Sequence, residues 1–523
     1  MDRYFKVNGK LFFAFGGQSQ NCSAYHPEDL EVFFTALERS GGNTAEIPVS
    51  WEAVEPEEGR FDFTMVDRVI SGAQSRGFRL IILWFATWKN GAMKFAPEWV
   101  KADRKRFHRV IAVDGSELPV LSSHCMENRK ADARAFAAMM AHIHDVDREG
   151  TVIGMQVENE SGILGRTCRD HGTEANREFA APVPACILEG LKRHPNTPEY
   201  GFWQACGGKA SGSWTEVFGD HAAELFTAWS IAGYINAVVQ AGKAEHDIPM
   251  FVNTWLDNQD WEVPGVSYPS GAPLRKTFNI WKWTAPDIDA LAPDIYKLNP
   301  EAFRDTCAFY SRENNPLIVP ESSPWNMANA RNMMVAIGKY RAAGYFLFGI
   351  EDTLTSDGGI TSDAKVIFGS FHAVSAALPL IMKYSGTPRL HTIVEEEHMY
   401  EQQLLKLDGY VGLAKFDIPN GADFRHKDQP IDGERGRGMV IQTADNEFYV
   451  LGGGFVLFLR RKCREDDYSE VKRESLVSYR RVEEGRFDGE GRWICERIRN
   501  GDASDYGIWV YPDVGVVHVI MDE

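Results

Sequence analysis

Short apolar runs alternate with longer amphipathic stretches through the first 385 residues, the sequence form of repeated β-α units. The runs are LFFAFGG (11–17), NTAEIPVSW (43–51), RLIILWF (79–85), TVIGMQVENE (151–160), PMFVNTW (249–255), IDALAPDIY (288–296), PLIVPESS (316–323) and GYFLFGIED (344–352). Most are near-continuous, as expected of parallel strands covered on both faces. Helical spacing fills the gaps, for example PEDLEVFFTALERSG (27–41), FTMVDRVISGAQSRG (63–77) and KADARAFAAMMAHIHDVDREG (130–150), and several of these stop at a glycine. Eight such units predict an α/β fold, a (β/α)8 TIM barrel with right-handed crossovers, over residues 1–385. Residues 161–248 are too many for one helix and predict an insertion near the active-site face, while 363–385 supply the last barrel helix.

From about Gly386 the texture changes. Segments such as GRGMVIQTADNEFYVLGGGFVLFLRR and DYGIWVYPDVGVVHVIMDE are rich in β-branched and aromatic residues and broken by turn residues. They predict a smaller antiparallel all-β domain, a sandwich or jelly roll, over 386–523. Gly452, Gly453 and Gly454 fall between strands with no helix opening behind them, which disfavours a phosphate loop.

Charge narrows the function. A net charge of −18, from 74 acidic against 56 basic residues, would repel phosphate backbones, so nucleic acid is not an expected partner. The N-terminus lacks a signal-peptide pattern, no window is expected to reach the length of a transmembrane helix, and the eight cysteines are scattered without a C-x-x-C pair. Reduced thiols and a cytoplasmic location follow as expectations. Homo-oligomerisation is left open.

Two of the eight runs end in a glutamate with polar company: Gln156-Val157-Glu158-Asn159-Glu160 on the fourth, Pro320-Glu321 on the seventh. Barrel enzymes carry their chemistry at the carboxyl ends of strands, so Glu160 and Glu321 are expected at one rim despite their distance along the chain. A lone strand-end glutamate is usually a solvated loop residue. A pair on strands four and seven suits glycoside hydrolysis, which needs one carboxyl to protonate the leaving oxygen and another to attack the sugar. Glu158, two residues before Glu160, projects deeper into the barrel and needs partners there.

These residues carry a resemblance. Asn-Glu ending strand four and Glu ending strand seven resemble the signature of the retaining (β/α)8 glycosidases. QVENESG (156–162) resembles a motif of glycoside hydrolase family 35, and SWEAVEPEEGRFDF (50–63) resembles a segment common to families 35 and 42. WFATWKNG (84–91) and YPSGAPLRKTFNIWKW (268–283) resemble a bacterial branch of family 35 with a C-terminal β domain. The resemblance implies Glu160 as acid/base, Glu321 as nucleophile, Asn159 on the sugar 2-hydroxyl and Tyr296 bonded to the nucleophile. It implies a β-galactosidase acting on terminal sugars of oligosaccharides with no cofactor. Ser161 replaces a common tyrosine, Thr87 a sugar-contacting glutamate, and Pro48 an aromatic residue.

Trp88, Trp255 and Trp325 fall at or past strand ends and are expected to wall a sugar pocket, with Asn90 and Glu351 as further contacts. His142, His144, Asp145 and Asp147 do not converge on a helix, so no metal is expected. Cys168, Asp170 and His171 read as a loop cluster without a role, and Glu395-Glu396-Glu397-His398 as a solvated face. The reading is therefore a retaining exo-β-glycosidase, most like a β-galactosidase. A β-glucosidase, a transglycosylase and an inactive sugar-binding barrel are its rivals.

Overall fold

A computed structural model describes residues 3–257, 261–396, 401–416, 434–465, 479–512 and 515–522. Eight parallel strands build its first part: β1 (Ala14–Gln18), β2 (Thr44–Ser50), β3 (Arg79–Lys89), β4 (Val152–Asn159), β5 (Met250–Thr254), β6 (Ala290–Pro293), β7 (Ile318–Val319) and β8 (Gly344–Phe348). Their order is β6-β5-β4-β3-β2-β1-β8-β7, so the barrel closes between β6 and β7. Every residue of β2 and β4 is buried, which explains their unbroken apolar runs. At Gly16 in β1 an added Cβ would lie 2.1 Å from the Thr44 carbonyl oxygen, so β1 and β2 approach as closely as they do because that side chain is missing.

The closing seam is short of strand. β7 has only two residues, and a side chain supplies the missing pairing. Asn315 accepts the Leu291 N–H at 2.8 Å and donates to the Leu291 carbonyl at 3.0 Å and the Tyr310 carbonyl at 2.8 Å. Further up, the Ile295 N–H donates to the Glu321 carbonyl at 2.9 Å. The chain around Glu321 is thus held to β6 by one backbone bond.

Helices follow the strands: α1 (Pro27–Ser40), α2 (Thr64–Ser75), α3 (Met126–Val146), α4 (Ala222–Glu245), α5 (Phe278–Thr284), α6 (Pro300–Tyr310), α7 (Ala328–Gly338) and α8 (Ser362–Tyr384). Between β4 and α4 lie four short helices, Thr173–Ala180, Ala185–Arg193, Pro198–Ala205 and Trp214–Phe218. The segment Trp214–Glu245 and helix α8 are long and apolar enough to cross a membrane, contrary to the expectation from the sequence. Their apolar surface has another use: Leu225, Ile231, Ile235 and Val239 of α4 are fully or almost fully buried in the barrel core.

The first run also divides differently. Lys10–Phe12 pairs antiparallel with Phe5–Val7, and the barrel strand starts only at Ala14. Phe5 is fully buried, and a Cβ on Gly154 at the foot of β4 would lie 2.9 Å from its ring. The hairpin therefore plugs the barrel floor. A second hairpin, Arg109–Ile111 with Glu117–Leu121, follows β3 and was not legible as such.

The C-terminal part is a two-sheet antiparallel domain. Strands β9 (Leu390–Val394), β10 (Gln402–Lys406), β11 (Tyr410–Lys415), β12 (Arg437–Ala444), β13 (Glu447–Gly453), β14 (Phe455–Arg461), β15 (Tyr479–Phe487), β16 (Trp493–Arg499), β17 (Ile508–Val510) and β18 (Val516–Met521) form it. One sheet is ordered β9-β12-β13-β18-β15-β16, the other β10-β11-β14-β17. Alternation serves two cores at once: Val440, Phe448 and Val450 pack inside the sandwich, whereas Met439, Ile441, Tyr449 and Leu451 join the barrel core. Fully buried Arg437 bonds Ser370 at 2.8 Å and the Val366 carbonyl at 3.1 Å on α8, and pairs with Glu434 at 2.5 Å.

The acidic run at 395 is not a solvated face. Glu395 accepts the Gly436 N–H at 2.7 Å and pairs with Arg435, and buried Glu396 pairs with Arg304 of α6. The Glu396–Arg304 pair joins the two parts of the chain, whereas Glu395 bonds within the second; Glu397 and His398 lie outside the described residues.

Asn315→Ala removes three buried hydrogen bonds at the barrel seam and is expected to cost about 3 kcal/mol of stability. Denaturant unfolding reads this as a lower midpoint at unchanged slope. An unchanged midpoint would mean that Asn315 does not close the barrel.

Candidate active site

The site begins with a bulge between β3 and β4. Trp84 pairs with Val157, but the next pair is Lys89 with Asn159, so four residues of β3 face the single residue Glu158. The Glu158 carboxyl takes up the stray donors, accepting the Thr87 N–H at 3.2 Å and the Trp88 N–H at 2.7 Å. Behind it Asp132 of α3 accepts from Trp84 Nε1 at 2.9 Å, Thr87 Oγ1 at 2.9 Å and the Tyr234 hydroxyl at 3.0 Å. Burial, then the charge of Asp132, pushes the Glu158 carboxyl well above its usual range. Glu158 therefore holds a proton and shares it with Asp132.

This network supports an unfavourable backbone. Glu158 has φ 65° and Glu160 φ 47°, left-handed conformations that cost a residue with a side chain about 1–2 kcal/mol each. The Glu160 N–H is caught by Asn253 Oδ1 of β5 at 2.9 Å. Asn253 Nδ2 in turn donates to Asn159 Oδ1 at 3.2 Å and to Asp294 Oδ2 at 2.9 Å. One buried amide thus ties β4, β5 and the end of β6 together.

Glu160 then points at Glu321. One oxygen each of Glu160, Asp294 and Glu321 lie within 4.8 Å of one another, all three residues buried. Both oxygens of Glu321 accept hydrogen bonds, Oε1 from Gln18 Nε2 at 3.2 Å and Oε2 from the Tyr296 hydroxyl at 2.9 Å, which fixes the direction of the carboxyl. Burial, followed by the charge of Glu321, raises Glu160 to about 8, against the opposing pull of Lys89 and a hydrogen bond from Asp294. Burial and the charges of Glu321 and Glu160 push Asp294 well above its usual range. Beneath them Glu46 of β2 is fully buried, and neither of its oxygens has a hydrogen-bond partner among the described residues. Burial, then the charge of Glu321, keeps it protonated.

The three carboxyls open into a cavity of about 590 Å³, lined also by Lys89, Asn90, Trp255 and Tyr296. Among the described residues they are the one group of acidic, His or Cys side chains close enough to hold a metal ion.

Residues 25–190 match the glycoside hydrolase family 42 model, described as β-galactosidase. This stretch contains both SWEAVEPEEGRFDF and QVENESG, so the matching model is that of family 42 and not of family 35. Residues 367–511 match a domain family of unknown function, DUF5597, which begins inside α8. Among solved structures the chain is similar to a catalytic mutant of a family 42 β-galactosidase from G. stearothermophilus, at 15% identity and TM-score 0.50, covering 74% of this chain and 59% of that one. It is also similar to a β-galactosidase from the psychrophilic Marinomonas ef1, at 12% identity and TM-score 0.50, covering 72% of this chain and 60% of that one. The chain spans about three fifths of the length of these two proteins, and the likeness is one of fold.

The residues singled out in the sequence divide in two. Glu160, Glu321, Tyr296, Asn90 and Trp255 line the cavity. Asn159 lies fully buried behind its wall, donating to Asn90 Oδ1 at 3.2 Å. Trp88 does not wall the cavity; the bulge turns it inward, edge-on to Tyr234 at 5.0 Å. Glu351 is also turned away, because it accepts the Gln20 N–H at 2.7 Å and the Ser23 hydroxyl at 2.8 Å. Trp325 is 46% exposed and lies outside the lining. His142 bonds Asp67 and stacks on Phe63, and Asp170 ties Ile111, Ser122 and Gly172 together, so both clusters have structural tasks. Asn253 and Asp294 were missed, although a polar residue inside PMFVNTW and an acid two places before Tyr296 were visible signals.

With glutamate carboxyls labelled in 13C, one resonance is expected to titrate near 8 and to vanish in Glu160→Gln. A Glu160 resonance titrating only in the usual carboxyl range, near 4, would contradict the crowding described here.

Proposed function

We propose that this protein is a retaining exo-β-glycosidase that removes terminal β-linked sugars, galactose first among them, from small glycosides. One observation carries the reading: two buried carboxyls in different surroundings face each other across a single cavity. Glu160, held at about 8, keeps a proton at neutral pH, while Glu321 sits between two hydrogen-bond donors. The 4.8 Å limit on their nearest oxygens is compatible with the roughly 5–5.5 Å separation of carboxyl groups in retaining enzymes, which supports that outcome. The family 42 match supports a galactoside as substrate.

In the first step Glu321 attacks the anomeric carbon as the bond to the leaving oxygen breaks, and Glu160 delivers its proton to that oxygen. The product is an ester between Glu321 and the sugar. In the second step Glu160, now ionised, takes a proton from water while the water oxygen attacks the anomeric carbon and releases Glu321. Tyr296 and Gln18 hold the nucleophile in line through both steps. Asn159, buried behind the cavity wall, holds Asn90 in place at 3.2 Å, and the pair is assigned to the side of the sugar that carries the 2-hydroxyl. A cofactor has no part in this chemistry.

Glu321→Gln is expected to lose activity by at least about 10⁴-fold with every substrate. Glu160→Gln is expected to lose about 10²- to 10⁴-fold with alkyl glycosides and far less with dinitrophenyl glycosides, which leave without a proton. Rates on nitrophenyl β-galactoside and β-glucoside, with product analysis, test the sugar and the acceptor. A strong β-glucoside preference moves the assignment to a β-glucosidase, and products longer than the substrate move it to a transglycosylase. If both variants match the parent protein, the barrel is not an enzyme of this kind.

A further inference from the structure

The bulge on β3 delivers one more side chain to the cavity. Lys89, the last residue of β3, is 6% exposed, and its Nζ lies 5.0 Å from the centroid of the Phe85 ring. Its remaining surface faces the cavity that Glu160, Asp294 and Glu321 share. Among the described residues the ammonium has no ion-pair partner within 4.0 Å and no hydrogen bond. It is nevertheless near enough to draw the Glu160 and Asp294 carboxyls downward against their burial.

A buried ammonium with three donors and no acceptor is costly, and polar groups left in that condition are ordinarily completed by something else. Lys89 is further from the carboxyls than an ion pair allows, so the space between them belongs to a ligand. The charge balance says which kind. The carboxyls of Glu160, Asp294 and Glu321 share the cavity with two cations, Lys89 and Lys297, and Lys297 donates instead to Thr306 Oγ1 at 3.4 Å. An anionic ligand would add charge beside three crowded carboxyls, whereas a neutral ligand with neighbouring hydroxyls fills the ammonium's donors without adding any. The wall supports the same geometry. Lys89 is the register partner of Asn159, and Asn90 beside it accepts from Asn159 at 3.2 Å, so Lys89 and Asn90 form one edge of the pocket with Asn159 buried behind them.

We propose, resting on the glycosidase reading, that Lys89 is the specificity residue of this pocket and hydrogen-bonds adjacent ring hydroxyls of a neutral hexose. Selection against a sugar lacking one of those hydroxyls then comes from leaving the ammonium unpartnered in a dry site. Selection against a uronic acid comes from the charge it would add beside Glu321.

The test measures kcat/KM for the parent protein, Lys89→Met and Lys89→Gln on 4-nitrophenyl β-galactoside, on its 2-, 3- and 4-deoxy analogues, and on 4-nitrophenyl β-galacturonide. In the parent protein, loss of a hydroxyl that Lys89 holds is expected to cost about 10- to 100-fold. In Lys89→Met that deoxy analogue should react within about twofold of the full sugar, because the group that noticed the hydroxyl is gone. Lys89→Gln, which keeps a donor without the charge, should fall between, and it serves as the reading if the Met variant does not fold. The galacturonide should be the poorest substrate of the parent protein. Deoxy penalties that persist unchanged in both variants overturn the proposal, as does a galacturonide preferred over the galactoside in a Lys89-dependent way. Failure of the parent protein on every glycoside sinks the glycosidase reading itself, a result distinct from either.

Discussion

Crowding of acids at one end of the barrel governs this structure. Glu160, Asp294 and Glu321 meet within 4.8 Å in a buried site, with Glu46 beneath them, and Lys89 and Lys297 are the cations that line the same cavity. Like charges this close and this dry cannot all ionise, so protons stay on some and leave others. The distribution follows from partners: donors converge on Glu321, while Glu160 has burial and a negative neighbour. Two carboxyls of one chemical type are thereby set in different surroundings.

Holding such groups together requires a framework that resists their repulsion, and it is built at two places. At the β3–β4 bulge, the proton shared by Glu158 and Asp132 secures the strand end that carries Glu160 in a strained conformation. At the β6–β7 seam, Asn315 replaces strand pairing and the Glu321 carbonyl receives one backbone bond from Ile295. Asn253 joins the two regions by holding Glu160 and Asp294 at once. The C-terminal sandwich lies against the opposite concerns of the fold, packing Met439 and Leu451 on the barrel core and anchoring Arg437 to α8.

Much of this was legible in the sequence because burial leaves a strong trace. All eight strands show as apolar runs, and the strand-end glutamates of the fourth and seventh stand out against them. What escaped was pairing. WFATWKNG continues the apolar texture of β3, so nothing in it marks a four-against-one bulge, and Trp88 was placed in the pocket although the bulge turns it away. Glu351 and the acids at 395 and 396 looked like solvent-facing or sugar-facing charges because their partners, Gln20, Ser23, Arg304 and Arg435, are remote in the chain. The apolar length of Trp214–Glu245 was underestimated for a related reason: a helix buried on most sides carries a composition that does not reveal what covers it.

The central claim is that Glu321 attacks the sugar while Glu160 supplies the proton. Covalent trapping with 2,4-dinitrophenyl 2-deoxy-2-fluoro-β-galactoside, followed by digestion and peptide mapping, tests it most directly. The account predicts one sugar per chain, attached to the peptide that contains Glu321. A sugar attached to any other peptide, or steady turnover of the probe with no attachment at all, would contradict it.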